Sequence, residues 1–219
     1  MKRIFNLILI TLFPILLLGC KFSLDVYQAN EDYQKDVINK YDSRFINHFP
    51  KKIERLPYSI GKRLLDSKNN QENALFFVSK YPQKIIDTLY QYFDSCAVRK
   101  YVPSQKDLLI VNRFTNNENW GLKRKAKLSE IRHYTDEVDY GDKLPIPNFY
   151  NDRYINGSTE CHLSPDFKLF VIEAKSGKFF PDSLLTTGKY MPKDWENGFS
   201  RGIGISKESR KVVYWFLSW

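Results

Sequence analysis

From Ile4 to Leu18 the chain is almost wholly apolar, broken only by Asn6, Thr11 and Pro14. Further on, the hydrophobic positions become periodic. Tyr33, Val37, Tyr41, Phe45 and Phe49 recur at every fourth residue, with Ile38 beside Val37. That spacing predicts a helix, and Pro50 stops it because the residue before a proline avoids the helical region. Residues 51–70 mix proline, glycine and charge and read as irregular surface chain. Helical patterning returns over Gln71–Lys80, and again from Pro82 through Ile85, Ile86, Leu89, Tyr90 and Phe93. Pro82 suits the first turn of that second helix, where a missing N–H costs nothing.

Beyond residue 100 the pattern shortens towards strands. "DLLIVNRF", Asp107–Phe114, is a brief apolar run between polar flanks and reads as a buried strand. "YINGSTECHL" and "FKLFVIEAK" flank the turn-forming Ser164-Pro165-Asp166, which predicts one hairpin. "GFSRGIGIS" and "KVVYWFLSW" flank residues 207–210 and predict another, with Gly177–Trp195 as a long connection between the two. In the last segment Val212, Tyr214 and Phe216 fall on one face and Val213, Trp215, Leu217 and Trp219 on the other. A strand apolar on both sides belongs in the interior, covered by helices on one face and by the Gly177–Trp195 loop on the other. The fold class expected is α+β: N-terminal helices packed on a mainly antiparallel C-terminal sheet, as one domain over residues 31–219.

Lys2 and Arg3 precede the apolar start, which gives the layout of a secretory signal peptide. A membrane span needs ~20 predominantly apolar residues, and this run is shorter and contains a proline. It ends on Leu17-Leu18-Gly19-Cys20, which resembles the lipobox of bacterial lipoproteins. The resemblance implies cleavage after Gly19, so that residues 1–19 are removed, and diacylglycerol on the Cys20 thiol with a further acyl chain on the new amino group. Each buried methylene adds ~0.8 kcal/mol of membrane affinity, and stable anchoring takes about two chains. Residues 20–30 then read as a lipidated tether.

Composition changes the picture in two respects. With 42% hydrophobic and 16% aromatic residues, a mature chain of about 200 residues can bury a real core. Net charge is +9, or +7 once Lys2 and Arg3 are gone, which favours anionic neighbours such as headgroups and acidic glycans. Lys123, Arg124, Lys125, Lys127 and Arg132 cluster within ten residues. Aromatic residues that would stack bases are not interleaved with them, so the cluster reads as a solvated face and nucleic acid is not an expected partner. An extracytoplasmic space permits a disulfide between Cys96 and Cys161; the alternative is that each is a small buried apolar residue. His48, His133 and His162 are scattered and no Cys-x-x-Cys occurs, so neither a metal site nor a cofactor is expected.

One segment has the look of chemistry. "PDFKLFVIEAK", Pro165–Lys175, matches the loose pattern of the metal-dependent nuclease superfamily, whose two acids would hold Mg²⁺ while the lysine assists a water. On one strand, however, Asp166 and Glu173 face opposite sides about 23 Å apart, at ~3.3 Å per residue. The expected hairpin offers a substitute: Glu173 lies opposite Ser158, and Glu160 becomes a diagonal neighbour at ~7–8 Å. The alternative function is therefore a hydrolase or nuclease using Glu160, Glu173 and Lys175. Gly188–Trp219, "GKYMPKDWENGFSRGIGIS…YWFLSW", carries a second resemblance, which extends back to Asp166. It is similar to the C-terminus of outer-membrane lipoproteins of Bacteroides-type bacteria, a group that brings no catalytic residue with it. In such bacteria an acidic run after the lipidated cysteine resembles a surface-export signal, and "KFSLD" has one acid only. The expectation is a periplasm-facing outer-membrane lipoprotein with a non-catalytic binding or structural role, meeting the membrane through its anchor and a protein or glycan in the envelope.

Overall fold

The computed structural model describes residues 25–63, 73–114, 127–149, 159–182, 185, 188 and 190–219. The chain falls into two compact units, Met1–Pro57 and Tyr58–Trp219.

In the first unit residues 25–33 are α-helical and continue into a π-helical turn, Gln34–Ile38. The stretch read as tether is thus already helical from residue 25. The helix expected to run on to Phe49 breaks at residues 39–42, because Asp42 caps a separate short helix, Ser43–Ile46, by accepting from Arg44 N at 2.8 Å. A strict four-residue repeat drifts by about 40° per step around a helix of 3.6 residues per turn. The widened π turn and the break let Tyr33, Val37, Phe45 and Phe49 all be buried despite that drift. Returning chain is tied down by polar bonds: Tyr33 donates to Pro50 O at 2.7 Å and Ile53 N donates to Asn30 Oδ1 at 3.0 Å.

The second unit is built on a six-stranded antiparallel sheet in the order β1-β2-β6-β5-β4-β3. Its strands are β1 Tyr58–Arg63, β2 Asn73–Lys80, β3 Arg99–Tyr101, β4 Phe167–Ser176, β5 Gly198–Ser206 and β6 Lys211–Ser218. The fold is α+β, as expected. The β5–β6 hairpin is in place, and so is the long helix, Gln83–Cys96.

Four segments differ from expectation. Where Gln71–Lys80 was expected to be helical, its described residues 73–80 form strand β2: Ala74 to Ser79 are all buried, since β2 lies between β1 and β6 with both faces covered. An unbroken apolar run of that length has no period to separate strand from helix. Irregular chain was expected at β1, an edge strand whose residues 58–62 are all partly exposed. Within Asp107–Phe114, residues 108–112 are buried, but the segment is not a strand. It makes one parallel bridge, Ile110 to Ile146, and turns away at Asn112, whose φ is 55°. The first hairpin is also replaced. β4 pairs with β3 and β5, while Thr159–Ser164 forms turns that bury Cys161 and Leu163 in the core.

The two faces of the sheet are covered differently. On one, the long helix lays Tyr90 and Phe93 against Phe170, with ring centroids 5.3 and 6.5 Å apart. Phe179 and Phe180 join this helix face against Phe199 and Phe216, at 4.7 and 6.2 Å. On the other, Phe149 wedges between Phe76 and Trp215, 5.7 Å from each. This loop face is closed by residues 107–114, 127–149 and 159–163. β5 makes room there with Ser200, Gly202, Gly204 and Ser206. A Cβ on Gly202 would stand 2.3 Å from the Trp215 ring and 2.4 Å from the Phe170 carbonyl, so the indole lies where a side chain would be. β6 is an interior strand buried on both faces. Of the Gly177–Trp195 connection, expected over the loop face, Phe179 and Phe180 lie instead on the helix face, while Met191 is buried in the loop-face core and Trp195 O accepts from the fully buried Trp219 indole at 2.9 Å.

Candidate functional site

Cys20, the signal segment and Lys123–Lys125 lie outside the described residues. Lys127 and Arg132 are exposed beside a short helix, Leu128–Arg132. Among the described residues no helix is long and apolar enough to cross a membrane.

Of the nuclease-like residues, Glu173 and Lys175 are brought together and Glu160 is not. Glu173 sits after a bulge in β4, level with Arg201 on the helix face. It accepts from Arg201 Nε at 3.0 Å and pairs with Lys175 Nζ at 2.7 Å. Burial alone would raise its carboxyl, but those two cations outweigh it and hold the pKa below the ordinary value. Glu160 pairs instead with Arg113 on the loop side. The substitute geometry depended on a hairpin that does not form. Among the described residues, no three His, Cys, Asp or Glu side chains are placed to hold a metal.

Cys96 and Cys161 are both free thiols. Cys96 is exposed at the end of the long helix, which packs on the helix face, whereas Cys161 is fully buried in the loop-face core. A layer of sheet separates the two sites, so the disulfide is not formed. Burial raises the Cys161 thiol pKa. A thiol held protonated in this way is a packing group rather than a nucleophile.

The densest set of buried polar side chains lies under the loop face, where three separate segments meet. Tyr134, from the π-helical turn His133–Glu137, reaches under residues 108–111. Its hydroxyl accepts from Ile110 N at 2.6 Å and donates to Ile110 O at 3.0 Å, satisfying both backbone groups of one buried residue. Burial pushes its pKa up to about 12. Burial, and then the neighbouring Tyr134, push Tyr140 higher still; the two rings meet edge to face at 5.1 Å. The Arg113 guanidinium, whose side chain is 16% exposed, lies 4.8 Å above the Tyr134 ring while holding Glu160. Asn148 bridges the other two segments: its Nδ2 donates to Asn112 O at 3.3 Å, and its Oδ1 meets His162 Nδ1 at 2.8 Å. That contact makes Nδ1 the donor, and burial lowers the His162 pKa.

Backbone strain marks the same place. Asn112, His162 and Tyr190 have φ of 55°, 65° and 62°, in the left-handed region that bulky side chains rarely adopt. The Tyr190 ring contacts Phe114 at 6.1 Å, and the other two residues are joined through Asn148. Such residues persist only where the surroundings over-determine them, at ~1–3 kcal/mol each. The set is a hydrogen-bonded network that ties residues 107–114, 127–149 and 159–163 together. Nothing in the sequence linked Asn112, Arg113, Tyr134, Asn148 and His162, because each pair is joined only through the folded chain. The nearest signal was the abrupt change from "LLIV" to Asn112-Arg113.

No family model matches the chain, nor does any curated protein or solved structure.

Proposed function

We propose that the protein is an envelope lipoprotein, anchored through acyl chains on Cys20 after loss of residues 1–19, which acts by binding rather than by catalysis. The observation that carries this reading is the apolar Ile4–Leu18 segment ending in Leu17-Leu18-Gly19-Cys20. The single acid in "KFSLD" favours the periplasm-facing side of the outer membrane. The binding role draws on the loop face, where strained residues and buried polar bonds hold loops on a rigid scaffold, the arrangement by which scaffolds present binding loops. Its partner is a protein or a glycan of the envelope. The acids considered for catalysis, Glu160 and Glu173, are each occupied by a cation.

Replacing the cysteine tests the anchor. Cys20→Ala should abolish incorporation of labelled fatty acid and either leave the precursor uncleaved or release the protein from the membrane fraction. Unchanged labelling in that variant would refute the reading.

A further inference from the structure

Positive charge gathers at one end of the sheet, where β2 passes into the long helix and β5 turns into β6. Lys80 closes β2 and Lys211 opens β6, and the two stand directly opposite each other in register. Arg210, in the turn, accepts through its carbonyl from Tyr81 N at 3.0 Å, so that turn lies against the β2–helix junction. Lys84 lies in the first turn of the helix. Lys207 stands 4.0 Å above the Tyr90 ring and 3.7 Å from Asp87. Lys80, Lys84, Lys207 and Arg210 are exposed and Lys211 is half-buried. Against these five cations stand Asp87, Glu208 and Asp166, the last of which feels the charge of Lys211. Among the described residues no acid pairs with Lys80, Lys84 or Arg210.

Stability does not explain this placement. Like charges directly opposite on neighbouring strands repel. A lysine in the first helical turn works against the helix dipole, and that turn holds no acid to offset it. Arg210 adds a left-handed backbone, with φ of 55°. Local rules are broken in this way at functional or strained sites. A cluster of cations, four of them exposed, drawn from several elements suits a surface of many phosphates.

We propose that this end of the sheet docks on anionic phospholipid headgroups of the membrane to which the chain is anchored. The proposal rests on the lipoprotein reading only in that Cys20 acylation keeps the bilayer within reach. An anchor turns docking into an intramolecular event at high effective concentration, so a modest patch suffices. Each lysine near an anionic surface contributes about fivefold in partitioning, and two about 25-fold.

The test uses the chain from residue 20 onward with Cys20→Ala, which contains every described residue and has no lipid of its own. Its binding to phosphatidylglycerol-containing and to pure phosphatidylcholine vesicles is measured by co-sedimentation at low and high salt. The expected result is binding to the anionic vesicles alone, weakened by salt as screening shortens to ~10 Å at 0.1 M. The Lys80→Glu/Lys84→Glu double variant should lose at least about 25-fold. Its melting temperature should hold or rise, because an acid at the first position would face Lys211 across the sheet and one at the second would favour the helix dipole. Lys127→Glu/Arg132→Glu, remote in sequence and exposed, should bind as the parent does. Absence of salt-sensitive binding to anionic vesicles would overturn the proposal. So would undiminished binding by the Lys80/Lys84 variant, or an equal loss in the Lys127/Arg132 control. Fatty-acid labelling of Cys20 in cells is a separate readout, so the anchor and the patch can fail independently.

Discussion

The two faces of the sheet are closed by different physics. On the helix face, aromatic rings from one regular helix and one connection meet the sheet, with the Arg201–Glu173 pair beside them. On the loop face an equally buried core is roofed by irregular chain, whose backbone polar groups must be satisfied one at a time. Tyr134 serves Ile110, Asn148 serves Asn112 and His162, and Ser200 donates to Pro145 O at 2.7 Å. A helix satisfies its own backbone and needs only an apolar stripe. A roof of loops needs side chains that reach specific carbonyls and amides.

The largest effect expected is on packing, and it tests whether the roof is as integral as the helix. Trp215 and Phe170 are both fully buried, Trp215 towards the loops and Phe170 towards the helix. Each mutation to alanine should cost ~3–5 kcal/mol in chemical denaturation. A markedly smaller cost for Trp215→Ala would show the loops to be loosely laid over the sheet, and would remove the basis for a rigid binding face.

Smaller, and specific to the loop face, is the loss of one hydroxyl. Tyr134→Phe keeps the ring but leaves Ile110 N and O without partners, for ~1–3 kcal/mol in thermal or denaturant unfolding. Unchanged stability would mean that water replaces the hydroxyl freely and that the polar network is not a constraint.

These contrasts follow the line between what the sequence revealed and what it hid. The long helix was legible because Pro82 marks its start and Ile85, Ile86, Leu89 and Phe93 hold the period of a helix. The β5–β6 hairpin was legible because two strand-like runs flank a short polar turn. β2 was not, since Ala74–Val78 is apolar at every position and central burial erases periodicity. Thr159–Leu163 was misread as a strand because the left-handed His162 reverses a segment that otherwise resembles one. Of the loop-face set and its partners, only Glu160 stood out in the sequence, through a hairpin register that does not form, while Glu173 and Lys175, grouped by a motif of residues close in sequence, lie on the helix face. Asn112 and Asn148 are 36 residues apart, and Asn148 and His162 are 14 apart.

The smallest effect depends on pH. Burial lowers the His162 pKa in the fold below its ordinary value near 6.5, so the unfolded chain takes up a proton before the folded one does. Stability from the neutral ring should be complete above about pH 6.5, and should fall as pH drops from there through the folded pKa. The carboxylates held low, Asp107, Asp166 and Glu173, lose their contribution only at lower pH, near about 4. Denaturation midpoints between about pH 5 and 8 should therefore slope for the parent protein and flatten in His162→Gln. Parallel curves would leave His162 out of the loop-face network.

The proposed anchor at Cys20 is the claim most open to direct measurement. The intact mass of the protein extracted from membranes should correspond to a chain beginning at Cys20, increased by a diacylglyceryl group and one amide-linked acyl chain. A chain beginning at Met1 or elsewhere than Cys20, or an unmodified cysteine at its start, would contradict the account.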